Sequence, residues 1–137
     1  MAIPHVDVHA QYEPLIPELK EAFARTLDSA RFIFGPEVSA FEREAAEKLG
    51  VLATVSCANG TDALVLVLDA MEIGPGDEVV CPAFTFYATA EAIARRGATP
   101  VFAEIDPTTL NLDPADVERR ITERTMAIMP VHLFGRP

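Results

Sequence analysis

Tryptophan is absent and lysine nearly so: the 137 residues hold two lysines, Lys20 and Lys48. Chemistry that needs a lysine amine has only those two positions to draw on. Cysteine is scarce as well. Cys57 and Cys81 stand 24 positions apart in apolar segments, too few for a disulfide framework or a zinc site. Both are expected as reduced, half-buried thiols of a cytoplasmic protein. Positive charge is in deficit. Eleven Lys and Arg against 21 Asp and Glu leave a net charge of -10, which excludes a reader of nucleic-acid phosphates. No apolar run approaches the roughly 20 residues of a membrane span, so no membrane partner is expected. Residues 1–9 show no basic segment followed by an apolar one, so no signal peptide is expected either. Internal repeats and low-complexity stretches are also missing.

What is present is a globular balance. Half of the residues are hydrophobic and 23% are charged, enough for one domain or part of one. Residues 1–12 read as extended and irregular, with Pro4 blocking an early helix. His5 and His9 flank Asp7, but no third ligand is placed, so a surface loop is expected there rather than a metal site. From Pro14 the pattern is helical, with Leu15, Leu19, Phe23 and Leu27 at four-residue spacing. Pro36 suits the first turn of a second helix striped by Val38, Phe41, Ala45 and Leu49, and Gly50 suits its C-terminal cap.

After Gly50 the period changes. Residues 51–57 are small and β-branched and read as a strand. Residues 61–71 could hold a short strand after an Asn-Gly hairpin turn, but their length favours a helix, apolar nearly all round and so buried. A loop at 74–77 leads to a strand at 78–81. A helix follows at 85–96, closed by Gly97, then a strand at 99–105. A helix at 114–121, capped by Asp113, precedes a strand at 126–132. Alternating strands and helices imply a mainly parallel sheet with helices on both faces.

In such sheets ligands bind beyond the carboxyl ends of the strands, and three stretches there carry unusual residues. The turn Ala58-Asn59-Gly60-Thr61 delivers the backbone onto a helix N-terminus, where free N–H groups and the helix dipole favour an anion. Gly60 allows close approach and Thr61 adds a hydroxyl. A simple helix cap at Asn59 or Thr61 explains the same residues. Phe84, Phe86 and Tyr87 cluster where a strand becomes a helix; one of them could stack on a planar ring, or all three could be core packing. His132 at a strand end could contact a ligand or move a proton, or serve a structural role. Gly74-Pro75-Gly76 is too short for a dinucleotide fingerprint.

Taken in order, these segments resemble the DegT/DnrJ/EryC1/StrS sugar aminotransferases over essentially the whole chain. The matching pieces are Phe32-Ile33-Phe34-Gly35-Pro36-Glu37-Val38, Ala58-Asn59-Gly60-Thr61-Asp62-Ala63-Leu64 and Ile73-Gly74-Pro75-Gly76-Asp77-Glu78-Val79. Ile3 to Tyr12, Leu27-Asp28-Ser29, Phe41-Glu42, Pro82-Ala83-Phe84-Thr85-Phe86, Gly97-Ala98-Thr99-Pro100-Val101, Ile105-Asp106 and Pro130-Val131-His132-Leu133-Phe134-Gly135 complete the set. The resemblance implies fold type I, the aspartate-aminotransferase class. Residues 1–50 would form an arm and two helices, and 51–137 an incomplete pyridoxal-phosphate (PLP) binding α/β large domain. It implies PLP as cofactor and transfer of an amino group from an amino acid, usually glutamate, to a nucleotide-linked keto-sugar, in a homodimer. Gly60 and Thr61 match the phosphate turn and Phe86 the aromatic that stacks on the pyridine ring. His132 lies near the cofactor with no assigned role.

In the family the pyridine-nitrogen aspartate and the Schiff-base lysine follow the Val-His-Leu-Phe-Gly segment. No catalytic residue is therefore expected within this chain, which reads as an N-terminal fragment, inactive alone, with at most weak noncovalent PLP binding. Its uncovered apolar faces suggest aggregation or partial order. A sugar dehydratase of the same family, with histidine in place of the lysine, is an alternative. So is a non-catalytic remnant of a truncated gene.

Overall fold

A computed structural model describes residues 6–137; Pro4 and His5 lie outside them. The chain divides into two compact units, Met1–Ser56 and Cys57–Pro137.

In the first unit, residues 8–12 correct the extended reading: a short helix α1 (Val8–Tyr12) forms, its first turn capped by the Asp7 carboxylate accepting from the Ala10 amide. A 3₁₀ turn (Glu13–Leu15) leads into α2 (Ile16–Ser29). Helix α3 (Pro36–Leu49) begins at proline and ends at Gly50, whose φ of 66° is the left-handed cap that glycine adopts without strain. The predicted stripes exist, but they are not buried. Phe23 is 69% exposed, Phe41 63% and Leu49 69%.

Residues 51–57 do not form the predicted strand. The Thr54 hydroxyl donates to the Glu42 carbonyl at 2.7 Å, and the Ser56 amide donates to the Glu42 carboxylate at 2.8 Å. A ladder needs a neighbouring strand, and none of the described strands pairs with these residues; the Ser56 amide and the Thr54 hydroxyl bond to Glu42 of α3 instead.

The second unit is built on three parallel strands, β1 (Glu78–Pro82), β2 (Thr99–Ala103) and β3 (Thr125–Ile128), in the order β2-β1-β3. Val80 pairs with Val101 on one side and with Ile128 on the other. Every residue of β1 is buried, as a central strand covered on both faces must be. Its side chains alternate. Val79 and Cys81 pack with Leu68 of α4 (Gly60–Ala70) and with Ala92 and Ile93 of α5 (Ala88–Arg95). Val80 packs on the opposite face with Ala103 and with Val117 of α6 (Pro114–Arg120). The predicted parallel sheet with helices on both faces is therefore present.

Strand β2 ends at Ala103, short of the predicted residue 105, and four further details differ from the sequence reading. Helix α4 is not buried all round: Leu68 is, but Leu66 and Val67 are 52% and 57% exposed. Helix α5 starts three residues late, because the Thr89 amide and hydroxyl bond back to Phe86 and Thr85 and hold residues 85–87 in a loop. Strand β3 ends at Ile128, so His132 is not at the strand end but precedes a closing 3₁₀ turn (Leu133–Gly135). Of the two free thiols, Cys81 is buried and Cys57 exposed, so neither is half-buried. Burial pushes the Cys81 thiol up to about 11, which keeps it protonated and inert.

Two buried carboxylates clamp the connections of the sheet. Glu78 at the head of β1 accepts from the Thr122 hydroxyl at 2.6 Å and from the Arg124 guanidinium, fixing the approach to β3. Asp116 accepts from the Glu104 amide at 2.8 Å and from Arg119 and Arg120. The Thr122 hydroxyl, then Arg124, holds the Glu78 carboxyl below its ordinary 4.5. The Glu104 amide, then the two arginines, holds Asp116 below its ordinary 3.8. Lowered native values make the folded state favour the charged forms. Their stabilisation is complete above the ordinary values and is lost as the pH falls through the lowered ones. The urea midpoint should therefore hold steady near neutral pH and drop as the pH passes below 4.5. Arg124→Met should lower the midpoint at pH 7 and flatten that acid decline; an unchanged acid profile would show that Glu78 is not its source.

Candidate functional site

The turn before α4 is organised by its own cap. The Asn59 side-chain oxygen accepts from the Asp62 amide at 2.9 Å, and the Asn59 carbonyl accepts from Ala63 at 3.1 Å. Those bonds use the later amides of the first turn. The amides of Gly60 and Thr61 have no partner among the described residues. A Cβ built on Gly60 would meet nothing within 4 Å, so the backbone there faces open space. Asp62 adds a negative charge to the same turn, but its carboxylate is engaged by the Asn59 amide group and by Arg95 at 3.8 Å.

An open pocket of about 440 Å³ lies against this turn. Gly60, Thr61 and Leu64 line it from α4, and Thr85, Phe86, Ala88 and Thr89 from the loop between β1 and α5. Val131 and Leu133, beyond β3, complete the lining. The site is assembled where the chain leaves the carboxyl ends of β1 and β3, as parallel sheets require.

Of the residues predicted from sequence, the structure brings Gly60, Thr61 and Phe86 into one pocket. Phe86 is 74% exposed and offers a free aromatic face, while Phe84 and Tyr87 do not line the pocket. His132 is exposed and sits between Val131 and Leu133, which line the pocket while it does not. Sequence reasoning passed over Thr85 and Thr89. Their four-residue separation beside an aromatic was the available signal, but it reads as helix packing until the loop is seen. Among the described residues no cluster of His, Cys, Asp and Glu could hold a metal ion. Among the same residues no helix is long and apolar enough to cross a membrane.

Partnerless amides suit an anionic oxygen cluster, and the flat aromatic beside them suits a planar ring, so these residues fit the phosphate and ring ends of PLP. The same arrangement marks the class: the described architecture is the N-terminal part of the large domain of a fold type I PLP-dependent transferase. The crystal structure of S. venezuelae DesV matches it with a TM-score of 0.94 at 45% identity, covering 98% of this chain and 36% of that one. The chain belongs to the DegT/DnrJ/EryC1/StrS aminotransferase family, whose pattern covers residues 15–137, a family of PLP-dependent sugar aminotransferases. It is 52% identical over 136 residues to the UDP-N-acetyl-3-dehydro-alpha-D-glucosamine 3-aminotransferase of Acidithiobacillus ferrooxidans. It is 48% identical over 136 residues to a protein of Geobacillus stearothermophilus named pleiotropic regulatory protein. Each alignment takes in 99% of this chain, which spans 37% of the length of either relative.

The cap that leaves Gly60 and Thr61 free is open to a direct check. Asn59→Ala should cost about 1 kcal/mol of stability and fray the first turn of α4. Urea unfolding, with amide exchange at Asp62 and Ala63, measures both. Protection of those two amides unchanged by the substitution would remove the capping account.

Proposed function

We propose that this chain supplies the phosphate turn and the aromatic wall of a PLP site. The whole protein then transfers an amino group from an amino acid, glutamate in our reading, to a keto-sugar carried on a nucleotide. The observation that carries the proposal is that the partnerless amides of Gly60 and Thr61 share one pocket with the exposed ring of Phe86. The family and the names of its sugar-aminotransferase relatives support the reaction class.

When bound, PLP supplies the electron sink for moving an amino group between carbons. The chain's own residues hold and orient. The Gly60 and Thr61 amides donate to the phosphate, helped by the positive end of the α4 dipole. Phe86 lies against the ring and keeps water from that face. His132, between the lining residues Val131 and Leu133, is kept as a residue near the cofactor with no proton-transfer role assigned. Lys20 and Lys48 both belong to the first unit, so the unit that carries the pocket has no lysine. We therefore read the 137-residue chain as catalytically silent by itself. A homodimer is the proposed assembly of the intact protein.

Two measurements on the purified chain test this. Calorimetric titration with PLP should show noncovalent binding that Gly60→Pro weakens about tenfold, the worth of one charge-assisted hydrogen bond. Proline is tolerated at the first helical position, so circular dichroism should show the helix content retained. Affinity that ignores the substitution would refute the amide cradle. Borohydride treatment with PLP, followed by peptide mass mapping, should leave Lys20 and Lys48 without stoichiometric pyridoxyl modification. A single stoichiometrically labelled lysine would overturn the silent reading.

A further inference from the structure

Thr89 is 5% exposed and stands in the first turn of α5, yet it lines the pocket. Its hydroxyl lies 2.9 Å from the Thr85 hydroxyl, and its amide donates to the Phe86 carbonyl at 3.1 Å. One residue thus ties down both neighbours that form the aromatic side of the pocket. Neither hydroxyl has another side-chain or backbone partner among the described residues.

Two hydroxyls that share one hydrogen bond have one hydrogen left over. If Thr89 kept it, the spare hydrogen would sit on the residue that is 5% exposed rather than on the half-buried one, with less access to an acceptor from solvent or ligand, a cost that folded proteins avoid. If Thr89 donates, the spare hydrogen falls to Thr85, which is half-buried and faces the pocket. The burial difference between the two threonines therefore sets the direction of the bond.

We propose that Thr89 is a positioning residue for the ring site: it donates to Thr85 so that the Thr85 hydroxyl presents its hydrogen to the bound ligand as a third donor, beside the amides of Gly60 and Thr61. The inference rests on the PLP reading and adds to it a ligand contact at Thr85. It also accounts for the late start of α5. If residues 85–87 continued the helix, the Thr85 hydroxyl would be spent on packing and Phe86 would turn with the helix.

The test uses the full 137-residue chain, PLP as the probe, and calorimetric titration of the wild type, Thr89→Val, Thr89→Ser, Thr85→Val and the Thr85→Val/Thr89→Val pair. Valine keeps the shape of threonine and removes the hydroxyl. Thr89→Val and Thr85→Val should each weaken binding about fivefold, the worth of one neutral hydrogen bond. The double variant should be no weaker than either single one, because both remove the same contact. Thr89→Ser should restore wild-type affinity, which a purely packing role for the threonine methyl would not allow. If Thr89→Val proves unstable, Thr85→Val and Thr89→Ser still decide the matter. Wild-type binding that Gly60→Pro weakens but Thr85→Val leaves intact would overturn this inference alone. A wild type with no PLP affinity, or affinity indifferent to Gly60→Pro, would overturn the cofactor reading and this inference with it.

Discussion

Everything in the second unit hangs on the double-sided burial of β1. Its ladders run to β2 on one edge and to β3 on the other, and its alternating side chains enter two separate apolar clusters. A strand in that position cannot shift by one residue without exchanging the faces of Val79, Val80 and Cys81. The buried carboxylate of Glu78 pins the head of the strand to Thr122 and Arg124, just before the β1–β3 pairing shifts by one residue between Glu78 and Val79. With β1 fixed, the directions in which the chain leaves its far end are fixed as well.

The pocket is a consequence of that constraint. Parallel strands all release the chain on one side of the sheet, and the loop after β1 and the segment after β3 meet there. Helix α4 brings the opposite kind of end, an N-terminus, to the same place. Polar backbone groups, an aromatic ring and two threonine hydroxyls thus converge, although they lie tens of residues apart in the chain. The later amides of the α4 turn are consumed by the Asn59 cap and the first two are left free. A cap and a pair of free amides are therefore two parts of one turn, so the cap does not argue against the proposed anion seat.

Several apolar surfaces have no cover among the described residues. Leu66 and Val67 on α4, Met126 and Ile128 on β3, and the stripes of α2 and α3 remain open to solvent. The chain spans 37% of the length of the curated relatives it matches. The all-round apolarity of α4 has no explanation in the packing present here.

Sequence by itself determined the elements whose signals are local. Pro36 and Gly50 bracket α3, Asp113 caps α6, and β-branched runs between helices mark a parallel sheet; backbone sterics and caps act within a few residues. It also determined the ordered motifs that carry the family resemblance, and Gly60, Thr61 and Phe86 among them. Tertiary structure alone decided that residues 51–57 are not a strand, since a ladder needs a partner and none of the described strands pairs with them. It alone decided that α5 starts at Ala88, that β3 stops at Ile128, and that Thr85 and Thr89 face the pocket while His132 does not line it. Each of these depends on which groups from distant segments arrive to complete a hydrogen bond or exclude water, and no local pattern encodes that arrival.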